Sequence, residues 1–322
     1  MPLKFAIIGP GKIARNSLLP ALKAQSGACL WSVLSRDRER AAEVAREFGA
    51  RAPQPAFDDL NALLADPELD AVILASPDRL HAPQVIAAAR AGKHCFTEKP
   101  MATENSEATA MVEACAEAGV RLGVAYHLRW HAGHRKLHHL VADGEIGDLR
   151  HMRLMWSRQH PNADNWRATP EVGRWWSLAG VGTHCLDQVR WFMAPGCGEI
   201  VKVVSVINHA VWGSPHDETA VLALQFENGS TAEICTSVLF DAPRRMEIYG
   251  SEGFALCENT LGADGGGSIT TDNGNLEFAA VDPYRGELAD FVAAIRDQRD
   301  PEVPGSEGAR NVALLLEAIG EG

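Results

Sequence analysis

From residue 4 to about 120, short apolar runs alternate with helix-like stretches: KFAIIG, LLPALKAQ, CLWSVLS, ERAAEVAREFG, AVILAS, PQVIAAARAG, HCFTE and EATAMVEACAEAG, closed by RLGVAY at 121–126. Alternation of this kind predicts βαβ units on a parallel sheet. The second half reads differently. A helical segment around 131–143 and the turn GEIGD precede strand-like runs at 149–157, 200–211, 218–226, 230–240 and 244–250, with hairpin signals at ENGS and GSEG. This predicts a mostly antiparallel sheet with helices on one face. DGGGS at 264–268 reads as a loop, and PYRGELADFVAAIRDQ as a late amphipathic helix.

The chain of 322 residues exceeds the roughly 100–200 typical of one domain. We therefore expect an α/β protein with a first domain over 1–122 and an α+β second domain over 123–322, the final helices being free to pack back on the first. An open antiparallel sheet bare on one face would expose apolar area, so the second domain is expected to pair copies into a homodimer or homotetramer.

A net charge of −12 argues against nucleic acid or anionic lipid as partner, because both need concentrated Lys and Arg. No apolar run reaches the roughly 18 residues of a membrane span. The opening MPLKFAIIGPG has no secretory h-region, and the seven cysteines are widely spaced without a CxxC pair. Both lead to the expectation of a cytoplasmic protein with reduced thiols.

FAIIGPGKIA sets Gly9, Gly11 and Ala14 in a G-x-G-x-x-A turn after an apolar strand, with Pro10, Lys12 and Ile13 between them. The first glycine permits the tight turn, the second a close approach of pyrophosphate, and the small third residue helix–strand packing. The second strand ends in LSRD, where an NAD site usually offers Asp or Glu to the ribose. Ser35 and Arg36 suit a 2′-phosphate and favour NADP over NAD, with Asp37 as the counter-argument. Ser76, Pro77 and His81 in ASPDRLH, and Glu98 and Lys99 in FTEKPM, fall at later strand ends on the same edge, where they are expected to contact the cofactor. A lysine there can polarise a hydroxyl or carbonyl.

These residues resemble the Gfo/Idh/MocA oxidoreductases, relatives of glucose-fructose oxidoreductase and inositol dehydrogenase. The likeness runs through GPGKIA, SPDRLH, AGKHCFTEKP, VAYHLR, GEIGDL, NWR, GTHCLD and IYGSEGFA. The resemblance implies a Rossmann domain, an α+β domain and NAD(P)-linked chemistry on sugars, cyclitols or their derivatives. It also implies Lys99 beside the nicotinamide, a cis Lys99–Pro100 bond, and His184 of GTHCLD over the nicotinamide as the second catalytic group. Many members carry an aspartate four residues before that histidine; this chain has Gly180.

Other side chains have two readings each. Arg129 could hold a substrate hydroxyl or carboxylate, or form a structural ion pair. Trp166 and Arg167 lie in a segment rich in the aromatic and amide groups that sugar sites use, and Asp164 or Glu171 could replace the missing carboxylate. Asp187 is expected to cap or brace a helix, and Cys185 to be a buried hydrophobe. His127, His131, His134, His138 and His139 are dense enough for a metal site, but no set at ligand spacing completes one, so no metal is expected.

The expected activity is hydride transfer between a nicotinamide and a secondary alcohol or carbonyl carbon, with Lys99 polarising the reacting oxygen and His184 exchanging its proton. The rivals are a catalytically silent dinucleotide or sugar sensor, and an enzyme that uses its cofactor transiently during elimination or hydrolysis.

Overall fold

The computed structural model describes residues 1–161, 164–169 and 173–320. It divides into two compact units, Met1–Tyr126 with Tyr284–Val312, and His127–Pro283 with Ala313–Gly322. The division follows Tyr126 because RLGVAY supplies the last strand of the first sheet, and a late helix belongs to the first unit.

In the first unit six strands run parallel: β1 (Leu3–Ile8), β2 (Ala28–Leu34), β3 (Ala56–Phe57), β4 (Ala71–Leu74), β5 (His94–Thr97) and β6 (Leu122–Val124), in the order β3-β2-β1-β4-β5-β6. Every residue of β4 is buried, which is why its apolar run shows no alternation. The helices are α1 (Leu19–Lys23), α2 (Arg38–Phe48), α3 (Leu60–Leu64), α4 (His81–Arg90) and α5 (Asn105–Glu117). Asp37 starts α2 by accepting from the backbone N–H of Glu39 and Arg40, and Gly49 ends it at φ 70°. The reversal of strand order between β1 and β4 makes a switch point, where ligands of open α/β sheets bind beyond the carboxyl ends.

The second unit carries α6 (Ala132–Ala142), β7 (Leu149–Ser157), α7 (Thr183–Cys197), β8 (Ile200–Asn208), β9 (Thr219–Phe226), β10 (Thr231–Ser237), β11 (Arg245–Gly250), β12 (Phe254–Glu258), β13 (Ser268–Thr271) and β14 (Gly274–Asn275). The sheet order is β14-β13-β12-β11-β7-β10-β9-β8. Only the β7–β10 pair among these neighbours is parallel. On β9, Ala220, Leu222, Leu224 and Phe226 are buried while Val221 is exposed, so one face packs inward, and α7 lies against β7 and β10. β8 stops short of 211 because the buried Glu218 carboxylate draws the N–H groups of Val211, Trp212 and Ser214 into a loop.

Two later helices complete the chain, α8 (Pro283–Arg296) and α9 (Gly305–Ala318). Phe291 of α8 fills the first unit's core, 5.1 Å from Phe96 and 6.2 Å from Phe5 by ring centroids. Among the described residues, no helix is long and apolar enough to cross a membrane.

Candidate active site

At the carboxyl edge of the first sheet, Gly9 has φ 82°, and a β-carbon there would come within 2.7 Å of the Ser76 backbone nitrogen. Only glycine fits such a turn pressed against the loop after β4. Gly11 differs: an added β-carbon would meet nothing nearer than the Gly9 carbonyl at 3.9 Å. Its bareness is not needed for packing against the described residues and leaves space beside the turn, which fits the close approach of a pyrophosphate. Ala14 is fully buried, Pro10 buried, and Lys12 exposed beside the turn. Ile13 packs partly buried against the core.

Beyond β2, Ser35 is half-buried and Arg36 exposed. The Asp37 carboxylate is engaged at the start of α2, 3.0 Å from the Glu39 nitrogen and 3.2 Å from that of Arg40. Arg40, not singled out from the sequence, reaches back so that its guanidinium donates to the Pro10 carbonyl at 3.1 Å. Its spacing from the glycine turn carries no motif; only the packing of α2 beside that turn reveals it.

The loops after β4 and β5 are tied together by His81. Its ring is fully buried, with Nε2 2.8 Å from the Ser76 carbonyl and Nδ1 3.0 Å from the Pro100 carbonyl. Ser76 donates its hydroxyl to Gln84 at 2.6 Å, and Pro77 is exposed. The Lys99–Pro100 peptide is cis. Glu98 is buried and accepts from the Lys99 backbone N–H at 3.2 Å, while Lys99 is half-buried.

In the second unit, His184 stands in the first turn of α7, after a π-helical turn over Leu178–Gly182. The lead into that turn is held by Asp217, which accepts from the backbone N–H groups of Trp176 and Leu178, each at 2.7 Å, and from the Ser177 hydroxyl at 2.5 Å. Burial pushes the Asp217 carboxyl up to about 6, against the pull of those donors. The sequence reading missed Asp217; its signal is a pair of adjacent carboxylates, Asp217 and Glu218, just ahead of an apolar strand. His184 is buried, packs on Trp156 of β7 with centroids 5.8 Å apart, and meets His127 edge-on at 4.7 Å. A β-carbon at Gly180 would touch no described residue within 4 Å, whereas one at Gly182 would crowd Leu178 at 2.8 Å.

Asp187 lies on α7 one turn after His184 and takes Arg129 bidentately, with Nε and Nη2 at 2.9 and 2.6 Å. Of the two readings of Arg129, the ion pair is the one this geometry contains. Burial drives the Cys185 thiol far above the usual range, in keeping with its expected place as a buried hydrophobe. Trp166 is exposed and the Arg167 guanidinium lies 4.0 Å over its ring. Asp164 is exposed; Glu171 lies outside the described residues. Among the described residues, no three His, Cys, Asp or Glu gather as a metal site. Burial lowers the proton affinity of His131, His134 and His138, most strongly for His134.

Two family models match the chain: an oxidoreductase family with an NAD-binding Rossmann fold over residues 3–126, and the GFO/IDH/MocA C-terminal domain over residues 134–256. The chain is 31% identical to 1,5-anhydro-D-fructose reductase of Ensifer adhaerens, covering 98% of this chain and 95% of that one. It is 29% identical to D-xylose 1-dehydrogenase (NADP(+)) 2 of Haloferax volcanii, over 99% and 97%, and 28% identical to myo-inositol 2-dehydrogenase of Thermotoga maritima, over 98% and 94%. In fold it is similar to aldose-aldose oxidoreductase from Caulobacter crescentus, at a TM-score of 0.92 and 23% identity, covering 100% of this chain and 97% of the other. The WlbA dehydrogenase from Bordetella pertussis matches at 0.85 and 23%, over 99% and 95%.

Proposed function

Because the chain belongs to the GFO/IDH/MocA oxidoreductase family, we propose that it transfers a hydride between a nicotinamide dinucleotide, NADPH in preference to NADH, and a secondary alcohol or carbonyl carbon of a sugar, cyclitol or derivative. The observation that carries the reading is the glycine turn: Gly9 is required by the protein's own packing, while Gly11 has room for a β-carbon and yet carries none, which leaves space beside the turn for a ligand to approach. The nicotinamide, when bound, supplies or accepts the hydride.

This chain's residues bind, orient and handle the proton. Gly9, Pro10, Gly11, Lys12, Ile13 and Ala14 receive the pyrophosphate, and Ser76, Pro77, His81 and Glu98 shape the neighbouring loops. Arg36 binds the 2′-phosphate, a preference supported by the engagement of Asp37 in capping α2. Lys99 polarises the reacting oxygen through its ammonium group, and His184 exchanges the proton directly or through water. Trp166 and Arg167 contact the sugar; Arg129 supports the site through Asp187. Two or four copies associate through the outer face of the second sheet, where Val204, Val206 and Val221 are exposed.

The test is a fluorescence titration of cofactor-stripped protein with NADPH and NADH. A turnover screen follows, beginning with 1,5-anhydro-D-fructose, D-xylose and myo-inositol, the compounds after which the relatives are named. Tighter NADPH binding and turnover support the reading. Binding of neither nucleotide removes it, and binding without turnover or solvent-deuterium uptake turns it into the silent sensor.

A further inference from the structure

At the amino edge of the first sheet, where β1 and β2 begin, a cavity of about 420 Å³ is lined by residues of α1, α2 and the start of β2. Small-molecule sites run from roughly 300 to 1,000 Å³, so the volume suits a compact ligand. The glycine turn stands at the other end of β1, whose six residues span about 20 Å. A ligand in this cavity does not share the dinucleotide's place.

The lining has two kinds of chemistry. Leu19, Leu30 and Phe48 give it an apolar wall, continuous with the core of the first unit. Lys23, Arg46 and Arg51 give it three exposed cations. Among the described residues, none of the three forms an ion pair. The lining carboxylate, Glu47, is taken by Arg15, which also holds Glu43 at 3.0 Å.

Cations near helix ends ordinarily answer open carbonyls. Here the chain closes those carbonyls itself. At the end of α2 the Ala50 N–H donates to Ala45 at 2.8 Å and the Gly49 N–H to Arg46 at 3.4 Å. At the end of α1 the Ala24 N–H donates to Pro20 and Ala21, each at 3.2 Å, and the Gln25 N–H to Leu22 at 3.0 Å. Arg46 adds only a long bond, 3.4 Å, from Nε to the Ala42 carbonyl. Arg51 lies beyond the helix, its backbone N–H fixed to the Leu30 carbonyl of β2 at 3.1 Å. Its charge reaches the cavity wall: burial pushes the Cys29 thiol up, and Arg51 pulls it back. In a chain of net charge −12, this leaves a local cationic rim over an apolar hollow.

We propose that the cavity binds a small amphipathic carboxylate, its apolar body against Leu19, Leu30 and Phe48 and its head between the guanidinium groups of Arg46 and Arg51, with Lys23 at the rim. The proposal stands apart from the dinucleotide reading, and failure of NADPH to bind would leave it intact.

The experiment is a titration of the full-length protein, labelled with nitrogen-15, with sodium hexanoate, followed by amide NMR. Hexan-1-ol supplies the body without the charge, and acetate the charge without the body. Hexanoate should saturate and move the amides of residues 28–30 and 46–51, while both controls bind at least about tenfold more weakly. Arg46→Gln with Arg51→Gln should weaken hexanoate by at least about tenfold and leave the amides outside the cavity in place. Added sodium chloride should weaken hexanoate in the parent, which tests the charge without any variant. Hexan-1-ol binding as tightly as hexanoate overturns the proposal, as does an unchanged affinity in the double variant. Displacement of hexanoate by saturating NADPH, or shifts confined to the glycine turn, would place it at the other edge and overturn the proposal as well.

Discussion

Arg129 and Asp187, 58 residues apart, form a two-pronged ion pair in the interior of the second unit, with side-chain exposures of 5% and 1%. It joins the turn carrying His127 to the helix carrying His184. A buried guanidinium without its carboxylate is costly, so Asp187→Ala should destabilise the protein by about 3–5 kcal/mol. Replacing both partners by leucine should return most of that loss. Urea midpoints of the two variants check this; a single variant as stable as the parent would sink it.

Under the proposed mechanism, in which the ammonium acts on the reacting oxygen and not on the dinucleotide phosphates, Lys99→Ala should lower turnover by several decades while NADPH still binds with little change. Steady-state kinetics paired with a fluorescence titration reads both halves. Unchanged turnover removes Lys99 from the mechanism.

Arg36→Ala should weaken NADPH binding by about 1.5–3 kcal/mol, the worth of a hydrogen bond to a charged group, and leave NADH binding nearly untouched. Equal losses for both nucleotides would mean that Arg36 does not read the 2′-phosphate. Because Asp37 is engaged by the Glu39 and Arg40 amides, Asp37→Ala should act on stability, by about 1 kcal/mol.

Asp217 ionises in the folded protein at about 6, above the usual 3.8. The folded state therefore holds this proton more tightly than the unfolded chain does. The associated stability is complete below the lower value and is lost as pH rises through the upper one; it amounts to about 3 kcal/mol at 1.36 kcal/mol per unit. Denaturant titrations at several pH values should show that decline in the parent and not in Asp217→Asn, read as the difference between the two proteins.

On the outer face of the second sheet, Val206 stands opposite Val221, Val221 opposite Cys235, and Cys235 opposite Met155. That makes an apolar row four strands wide, beside a row in which Arg153 pairs with Glu233 and Glu247. Val206→Glu with Val221→Glu should turn the expected dimer or tetramer into a monomer by light scattering. A parent that is already monomeric at micromolar concentration would contradict the assignment.

The sequence makes plain those elements whose residues face one consistent environment. AVILAS is apolar throughout because β4 is buried throughout, and TAVLALQF alternates because β9 has one bare face. The two-residue strands β3 and β14 are too short to carry a period. Among the candidate residues, Gly9, Gly11 and His184 are visible as motifs because each motif is confined to a single turn. The bond between Arg129 and Asp187, the reach of Arg40 to Pro10 and the grip of Asp217 on Trp176 to Leu178 join segments distant along the chain. No spacing rule announces such pairings; the strands must first bring them together.

Gly180 can be seen in another light, that of the genetic code. Every glycine codon lies a single base from a codon for aspartate or glutamate, and a β-carbon at this position meets no neighbour within 4 Å. A β-carbon one turn before His184 is thus within reach of a point mutation and meets no described residue. The glycine at 180 is therefore not one that contact of a β-carbon with any described residue imposes.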